Sequence, residues 1–473
     1  MIIKEQQDEI QSYLEDASNV RNGKADKVYI PDSEADIVAL VKECSAAKEF
    51  LTVSGGGTGT VGGRVPRIGS QISLERFNTI HTIVPRTKTA SLQAGVVIRD
   101  FLKALDENGL FYPPFPTERS AFIGGNISTN ASGEYSFRFG ATRRYVKKIN
   151  IVLSTGEILE LERGATRENG GIIPVGPYRI PLPSYRTPPI KCTAGYYSQP
   201  GMDPIDLFIG AEGTLGIVTS ATVETVEHLP PRFILIIFLP DDSRIMELVS
   251  LIKGRKDLDT CSLEYFCPGS LAFLKKDFAE IPDNAFGIYV EAKADTTQME
   301  EWLALAEKFD AVDAVIGEDP KNYERLIDFR HKLPENVNAC FRALGITKVA
   351  MDIAVPEEKF TEIYAYYRAV MKAESIHTIL FGHIGENHLH FNFFPKNEAE
   401  KERAYELYRQ SAIKALSFGG TIAAEHGIGK IKHQWLSLMY GEKGIHEMAL
   451  IKKILDPAGI LGPDNIFPRS LRG

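Results

Sequence analysis

Hydrophobic positions in the first half of the chain come in short runs with two different spacings. Ser33 is placed to cap a helix, with Asp36 three positions on, and Ile37, Leu40, Val41 and Cys44 then recur at helical spacing. Residues 50–53, 72–74 and 91–97 read as strands, and residues 100–108 as a helix ended by Gly109. Residues 149–153 and 157–161 flank Ser154-Thr155-Gly156, the pattern of a hairpin. This α+β region runs to about Val226.

From Pro230 the pattern restarts. Residues 233–239 are an unbroken apolar run ended by Pro240, which predicts a buried strand. Helices are expected at 243–253, 298–309, 322–338 and 356–373, and strands at 287–292, 348–354 and 378–381. That alternation predicts a sheet covered by helices on one side. A polar helix at 397–417 leads to a last segment. Between Gly171 and Pro204 the prolines at 174, 177, 181, 183, 188, 189, 200 and 204 exclude helix. A loop of that length is functional or a partner surface.

Composition narrows the classes. The 473 residues hold 54 Lys and Arg against 62 Asp and Glu, a net charge of −8, so a broad nucleic-acid-binding face is excluded. No apolar stretch approaches the ~20 residues of a membrane span. The N-terminus lacks a basic segment followed by an apolar one, so a cytoplasmic protein is expected. Cys44, Cys192, Cys261, Cys267 and Cys340 form no C-x-x-C pair, which argues for a reducing compartment and against iron–sulfur ligation.

Three clusters of small residues carry the chemistry of the first region. Ser54-Gly55-Gly56-Gly57-Thr58-Gly59-Thr60-Val61-Gly62-Gly63 contains G-x-G-x-x-G, the mark of a dinucleotide turn when a helix follows. Here Arg64-Val65-Pro66 follows, which breaks helix. The alternatives are a nest of backbone N–H groups for phosphate, with Ser54 and Thr58 as added donors, or a structural turn. The second cluster follows Pro113-Pro114-Phe115-Pro116-Thr117 as Ile123-Gly124-Gly125-Asn126-Ile127-Ser128-Thr129-Asn130. The third is Gly210-Ala211-Glu212-Gly213-Thr214-Leu215-Gly216-Ile217-Val218. Each lets a backbone approach a flat ligand closely.

Together these runs resemble the vanillyl-alcohol-oxidase-type (PCMH-type) FAD-binding fold, over essentially the whole chain. Within it the chain is similar to the D-lactate and D-2-hydroxyglutarate dehydrogenase and glycolate oxidase flavin-subunit group. The resemblance implies an α+β protein: a FAD-binding domain at 1–227, a substrate-binding cap on an antiparallel sheet at 228–419, and a segment at 420–473 returning to the FAD domain. It implies Ser54, Gly55, Gly56, Gly57, Thr58 and Gly59 on the pyrophosphate. Pro116, Thr117, Gly124, Gly125, Asn126 and Thr129 would lie along the ADP and flavin, with Glu212, Gly213 and Ile217 beside the adenosine end or the ring. Some relatives tether FAD through a histidine in the first loop or a cysteine in the second. Residues 52–63 hold no His and 113–133 no Cys, so noncovalent FAD is expected.

Histidines concentrate late in the chain. His388 and His390 alternate along one strand, with His383 across a turn, and Glu425-His426 follow. Two imidazoles and a carboxylate make a borderline donor set for Zn²⁺ or another divalent ion with an open position for a 2-hydroxy acid. The alternative is a set of strand-end histidines satisfied by hydrogen bonds. The related dehydrogenases show G-H-x-G-D-G-N-x-H and then E-H-G. That match implies His383, His390 and Glu425 as metal ligands, Asn392 on the substrate and His426 as base. This chain has Glu386-Asn387-His388 in place of D-G-N, so His388 is a fourth ligand or points away, and pointing away is the expectation.

Arg330 and Lys348 match cationic substrate positions of the group, where a guanidinium can grip a carboxylate. As plain sequence, a helical Arg is more often solvated. Some relatives carry a hydroxyl residue where this chain has Pro334. The expected reaction is oxidation of a D-2-hydroxy acid to the 2-oxo acid, with hydride passing to FAD. The electrons would leave to a separate carrier, an electron-transferring flavoprotein or an iron–sulfur subunit. Rival readings are a non-catalytic flavin relay subunit, or an oxidase or transferase of the same fold. Homo-oligomers stay open.

Overall fold

The computed structural model describes residues 1–346 and 348–472. Gly473, at the end of the expected C-terminal segment, lies outside them. The chain forms two compact units, one of residues 1–133, 140–228 and 423–473, the other of residues 134–139 and 229–422. Glu134–Phe139 thus leaves the first stretch of chain to join the second unit, and residues 420–422 stay with that unit. Among the described residues no helix is long and apolar enough to cross a membrane.

In the first unit, strands Val28–Ile30, Ser70–Ser73 and Leu51–Ser54 lie side by side in parallel, with Ile2–Lys4 antiparallel at one edge. Helix Glu34–Ala47 starts as its sequence predicts: the Ser33 side chain accepts from the Asp36 N–H, and Ile37, Leu40, Val41 and Cys44 are buried. A second, antiparallel sheet runs Ile80–Val84, Thr89–Gln93, Ile217–Glu224, Val146–Val152, Ile158–Glu162. Its edge strand Ile158–Glu162 alternates exposed and buried residues, the pattern of one wet face. The chain returns late to this unit. The Leu51 N–H donates to the Ile460 carbonyl at 2.8 Å and the Gly462 N–H to the Leu51 carbonyl at 2.9 Å.

The proline-rich stretch is not one open loop. Ile172–Val175 and Tyr178–Pro181 pair as a hairpin. Beyond it Tyr185 is buried, its hydroxyl donating to the Tyr196 carbonyl at 2.8 Å and its ring 4.4 Å from that of Tyr440. The Ser184 N–H donates to Glu447 at 2.8 Å. Much of the expected loop is therefore a strap fixed to helix His433–Leu455.

The second unit is built on an antiparallel eight-stranded sheet. Its order is Asp313–Gly317, Arg232–Leu239, Phe286–Lys293, Thr260–Phe266, His377–Gly382, His388–Phe394, Val349–Ala350, with Ile353–Ala354 also paired to His388–Phe394. Arg232–Leu239 and Thr260–Phe266 are buried along nearly their whole length; the first reads as an apolar run, whereas the second alternates polar and apolar residues and buries Ser262 and Glu264. The strand expected at 348–354 splits in two around Asp352. Helix Pro320–Leu344 is longer than its sequence suggests and runs through Pro334. An interior proline costs about 3 kcal/mol or more. The buried stripe Leu326, Phe329, Leu333, Val337 and Phe341 outweighs that at roughly 1.5–3 kcal/mol per side chain. The same stripe carries Arg330 inward, 9% exposed.

Candidate functional site

The three glycine clusters of the first unit interlock. After Leu51–Ser54 no helix begins until Ile98, so the loop has no helix N-terminus behind it. A Cβ on Gly55 would lie 3.6 Å from Gly125 Cα, and one on Gly56 would lie 2.7 Å from the Ser120 carbonyl oxygen. The first loop therefore packs backbone to backbone on the second. Gly213, in the third cluster, has room for only a hydrogen against Val53. Gly59 and Gly125 face open space instead, where a Cβ would meet nothing within 4 Å.

Donors surround that space. Among the described backbone hydrogen bonds, the N–H groups of residues 56–60 find no acceptor within the chain. The Asn126 side-chain amide nitrogen is buried and also lacks one. Residues 56–58 are half-buried and Gly59 and Thr60 exposed, so this nest of N–H groups opens to solvent beside the buried Asn126 amide, an arrangement that fits an anionic cofactor such as the FAD pyrophosphate.

Other expected flavin residues serve the framework. Gly124 lies against Ala94, 2.6 Å from its Cβ if a Cβ were added. Thr129 Oγ1 donates to the Gly125 carbonyl at 3.0 Å, and Ser54 Oγ to the Gly55 carbonyl at 3.1 Å. Ile217 is a fully buried strand residue. The Glu212 carboxylate accepts from the N–H groups of Ile428 and Gly429, both at 2.7 Å. Burial raises its pKa while those two bonds pull it down. Glu212 is thus the tie that shapes the loop after Glu425-His426, a role its sequence position beside the third glycine cluster did not reveal. Pro116 and Thr117 lie in the connection between Leu110–Phe111 and helix Ile123–Thr129.

Glu425 and His426 sit in this loop of the first unit. Glu425 Oε2 lies 2.7 Å from Lys191 Nζ and accepts from Ser132 Oγ at 3.2 Å; both charged side chains are largely buried. His426 Nε2 is 3.5 Å from Glu425 Oε1, and the imidazole is about one-third exposed. Thr193 pins the loop, since its N–H donates to the Ala423 carbonyl and its hydroxyl accepts from the Gly427 N–H at 3.0 Å. The Lys191-Cys192-Thr193 run is conspicuous in sequence, but nothing in it announces an ion pair with Glu425.

In the second unit the hairpin of His377–Gly382 and His388–Phe394 turns through His383 and a short 3₁₀ turn, Ile384–Glu386. Asn387 closes that turn at φ +57°, a left-handed conformation Asn tolerates, where the related pattern has glycine. The period of two puts His388 and His390 on one face. The ring centroids of His383, His388 and His390 lie 5.3, 5.4 and 4.6 Å apart, pair by pair. Their ligand nitrogens all fall within 4.8 Å of one another. His388 does not point away from the cluster, and that expectation is corrected. The side chain of Asn392, two positions beyond His390, is buried.

Buried carboxylates stand behind these imidazoles. His383 Nδ1 lies 3.0 Å from Glu264 Oε1, and His388 Nε2 lies 3.0 Å from Asp352 Oδ1. Glu264 Oε1 also accepts from Arg330 Nε at 3.0 Å and Nη2 at 2.7 Å. Arg330 Nη1 is 3.9 Å from Glu134, which also holds His331 at 2.9 Å. Burial works against the Glu264 charge, but His383 and Arg330 outweigh it and hold the carboxyl well below the usual range. Arg330 is therefore not a solvated helical arginine, and its charge is already answered. Lys348 is an exposed residue whose Nζ donates to Asn338 Oδ1 at 3.0 Å, and desolvation by neighbouring atoms pushes its pKa down to about 8. Glu264 escaped sequence reasoning because its strand, Thr260–Phe266, did. Asp352 escaped because it lies in the break between two short strands.

Comparison with known proteins gives the family. Residues 25–162 match the FAD binding domain model, and residues 235–466 match the model of the C-terminal domain of FAD linked oxidases. The chain is 28% identical over 471 residues to the glycolate oxidase subunit GlcD of Bacillus subtilis, covering 97% of this chain and 93% of that one. It is 28% identical to a D-lactate dehydrogenase of Anaerostipes hadrus, covering 92% and 88%. It is also 28% identical to a D-2-hydroxyglutarate dehydrogenase of Stutzerimonas stutzeri, covering 93% and 90%. The fold is that of 4-ethylphenol oxidase from Gulosibacter chungangensis, with a TM-score of 0.71 at 16% identity over 99% of this chain and 95% of that one. With a cradle of unanswered donors in one unit and both family models matched in order, the chain belongs to the FAD-linked oxidases and is an FAD-linked oxidoreductase.

Proposed function

We propose that the chain oxidises a D-2-hydroxy acid of the lactate, glycolate or 2-hydroxyglutarate type to the 2-oxo acid. When bound, FAD supplies the hydride acceptor and a divalent ion, Zn²⁺ by its donor set, supplies the Lewis acidity that lowers the hydroxyl pKa. His383, His390 and Glu425 are the proposed ligands. His426 takes the hydroxyl proton on its imidazole, a group that titrates near neutral pH. Asn392 and Lys348 are the proposed contacts of the substrate. Lys348 suits the carboxylate better than Arg330, because an anion relieves the desolvation of its ammonium, whereas Arg330 is neutralised by Glu264 and Glu134.

The observation that carries the reading is the imidazole cluster with a buried carboxylate behind His383, the way metal-bound histidines are held. Names of the relatives support the substrate class. No second redox motif is present in the sequence, so electrons leave to oxygen or to a separate carrier, and the resemblance to the related dehydrogenases favours a protein carrier. The test is anaerobic bleaching of the flavin absorbance by a panel of D- and L-2-hydroxy acids, before and after chelation. Bleaching by a D-acid that chelation suppresses is expected. A flavin that no 2-hydroxy acid reduces would refute the proposal.

A further inference from the structure

His388 stands where the related pattern has asparagine, and it is the most deeply buried of the clustered histidines, with no exposed surface. Its placement is built rather than incidental. Strand Ile353–Ala354 pairs antiparallel with the start of His388–Phe394, Ala354 opposite His388, and this brings the preceding Asp352 to the imidazole. Asp352 is itself 1% exposed. A buried carboxylate beside one ring nitrogen, here Asp352 Oδ1 at 3.0 Å from His388 Nε2, favours a proton there and leaves the other nitrogen as an electron-pair donor. His383 has Glu264 hydrogen-bonded to its Nδ1.

The spacing of the rings fits one shared ion. With a metal–nitrogen distance of about 2.0–2.1 Å, a ring centre lies roughly 3.2 Å from the metal, so two imidazoles on a tetrahedral ion have centroids about 5.2 Å apart. The three observed separations are 4.6, 5.3 and 5.4 Å. Packed rings also fall at about 4.5–7 Å, so the observation that favours one shared ion is that ligand nitrogens of all three rings lie within 4.8 Å of one another. We propose that His388, held by Asp352, is a metal ligand, so that His383, His388 and His390 form a three-imidazole site for a divalent cation within the second unit. This rests on the metal reading above and goes beyond it in ligand set. Neutral imidazoles of this number suit Zn²⁺, Co²⁺ or another borderline divalent ion.

The test uses the full-length FAD-loaded protein, stripped of metal and titrated with Co²⁺, whose visible absorption reports its donors and geometry. Wild type is expected to give an intense visible band at one equivalent. His388→Asn, which restores the related pattern, should shift that band and weaken binding at least tenfold. Asp352→Asn keeps the size of the side chain and should weaken binding about 10–100-fold, as loss of a ligand's supporting hydrogen bond does. FAD content and near-ultraviolet circular dichroism establish that each variant is folded. If His388→Asn misfolds, Asp352→Asn decides alone. A wild-type site whose band and affinity survive both substitutions would overturn the His388 assignment and leave the metal reading standing. Failure of wild type to bind Co²⁺ or Zn²⁺ would overturn both.

Discussion

Glu264→Gln tests how much the second unit depends on one buried carboxylate. In the native protein Glu264 Oε1 faces Arg330 Nε and Nη2 and His383 Nδ1, all within 3.0 Å. Both Glu264 and Arg330 are nearly excluded from solvent. Neutralising the carboxyl leaves Arg330 with Glu134 at 3.9 Å as its remaining anion. Removing one partner of a buried pair costs about 3–5 kcal/mol. At about 2–4 °C per kcal/mol for a unit of this size, the melting temperature should fall by roughly 6–20 °C. The assay is thermal unfolding followed by near-ultraviolet circular dichroism, with flavin fluorescence as a separate reporter of the FAD-binding unit. Arg330→Met added to Glu264→Gln should recover part of the loss, because an apolar replacement removes the stranded charge. The pH dependence has a definite sign. A carboxyl whose folded pKa is depressed stabilises above its unfolded value of about 4.3, and that contribution is lost as pH falls toward the folded value. The gap between wild type and Glu264→Gln should therefore be full at neutral pH and close in strong acid. A variant within 1 °C of wild type at pH 7 would refute the reasoning.

Gly59→Ala should fold normally and lose FAD affinity, because its new methyl enters open space beside unanswered donors, whereas Gly56→Ala should also lower the melting temperature by collision with the Ser120 carbonyl; equal FAD retention in Gly59→Ala and wild type would contradict the cradle. Acid precipitation should release all flavin to the supernatant, and yellow pellets would show a covalent tether. His426→Ala should keep FAD and metal but slow flavin reduction by about 10²–10⁴ in stopped flow; a loss of metal equal to that of Glu425→Ala would make it structural. If Lys348 holds the substrate carboxylate, KM should rise as pH passes about 8 and its ammonium deprotonates, and Lys348→Met should flatten that profile; an unchanged profile removes Lys348 from the site.

Local rules were enough for much of the framework. The cap at Ser33 and the apolar spacing of Ile37 to Cys44 recur in the structure residue for residue. The strand carrying His388 and His390 and the turn at His383 are equally local and were legible, although the side on which His388 falls was not. What failed was long-range. Thr260–Phe266 alternates polar and apolar residues like a strand with one wet face, yet both of its faces are buried, and nothing local marks Glu264 as an interior carboxylate. The resemblance implies Glu212 as a cofactor contact, and nothing in the sequence signals that its carboxylate also closes bonds to residues more than two hundred positions away. The expected helix already ran through Pro334, and the buried stripe on both sides of that residue explains why the helix tolerates it and continues to Leu344. Ion pairs such as Lys191 with Glu425 leave no pattern in a single sequence at all.

The return of residues 423–473 to the first unit sets an order of events during synthesis. The strand that leads into the first glycine loop is completed by the backbone of Ile460 and Gly462. The loop itself is held by Lys430 Nζ, which donates to the Gly63 carbonyl at 2.9 Å, and by Asn465, which donates to the same carbonyl at 2.9 Å. A nascent chain that has emerged as far as residue 422 therefore carries every residue of the second unit and an unfinished first one. Flavin capture is in that sense a late checkpoint: the earliest segment of the chain waits for the latest before it can hold its cofactor. Loss of the final few dozen residues would spare the histidine sheet and yet yield a colourless protein.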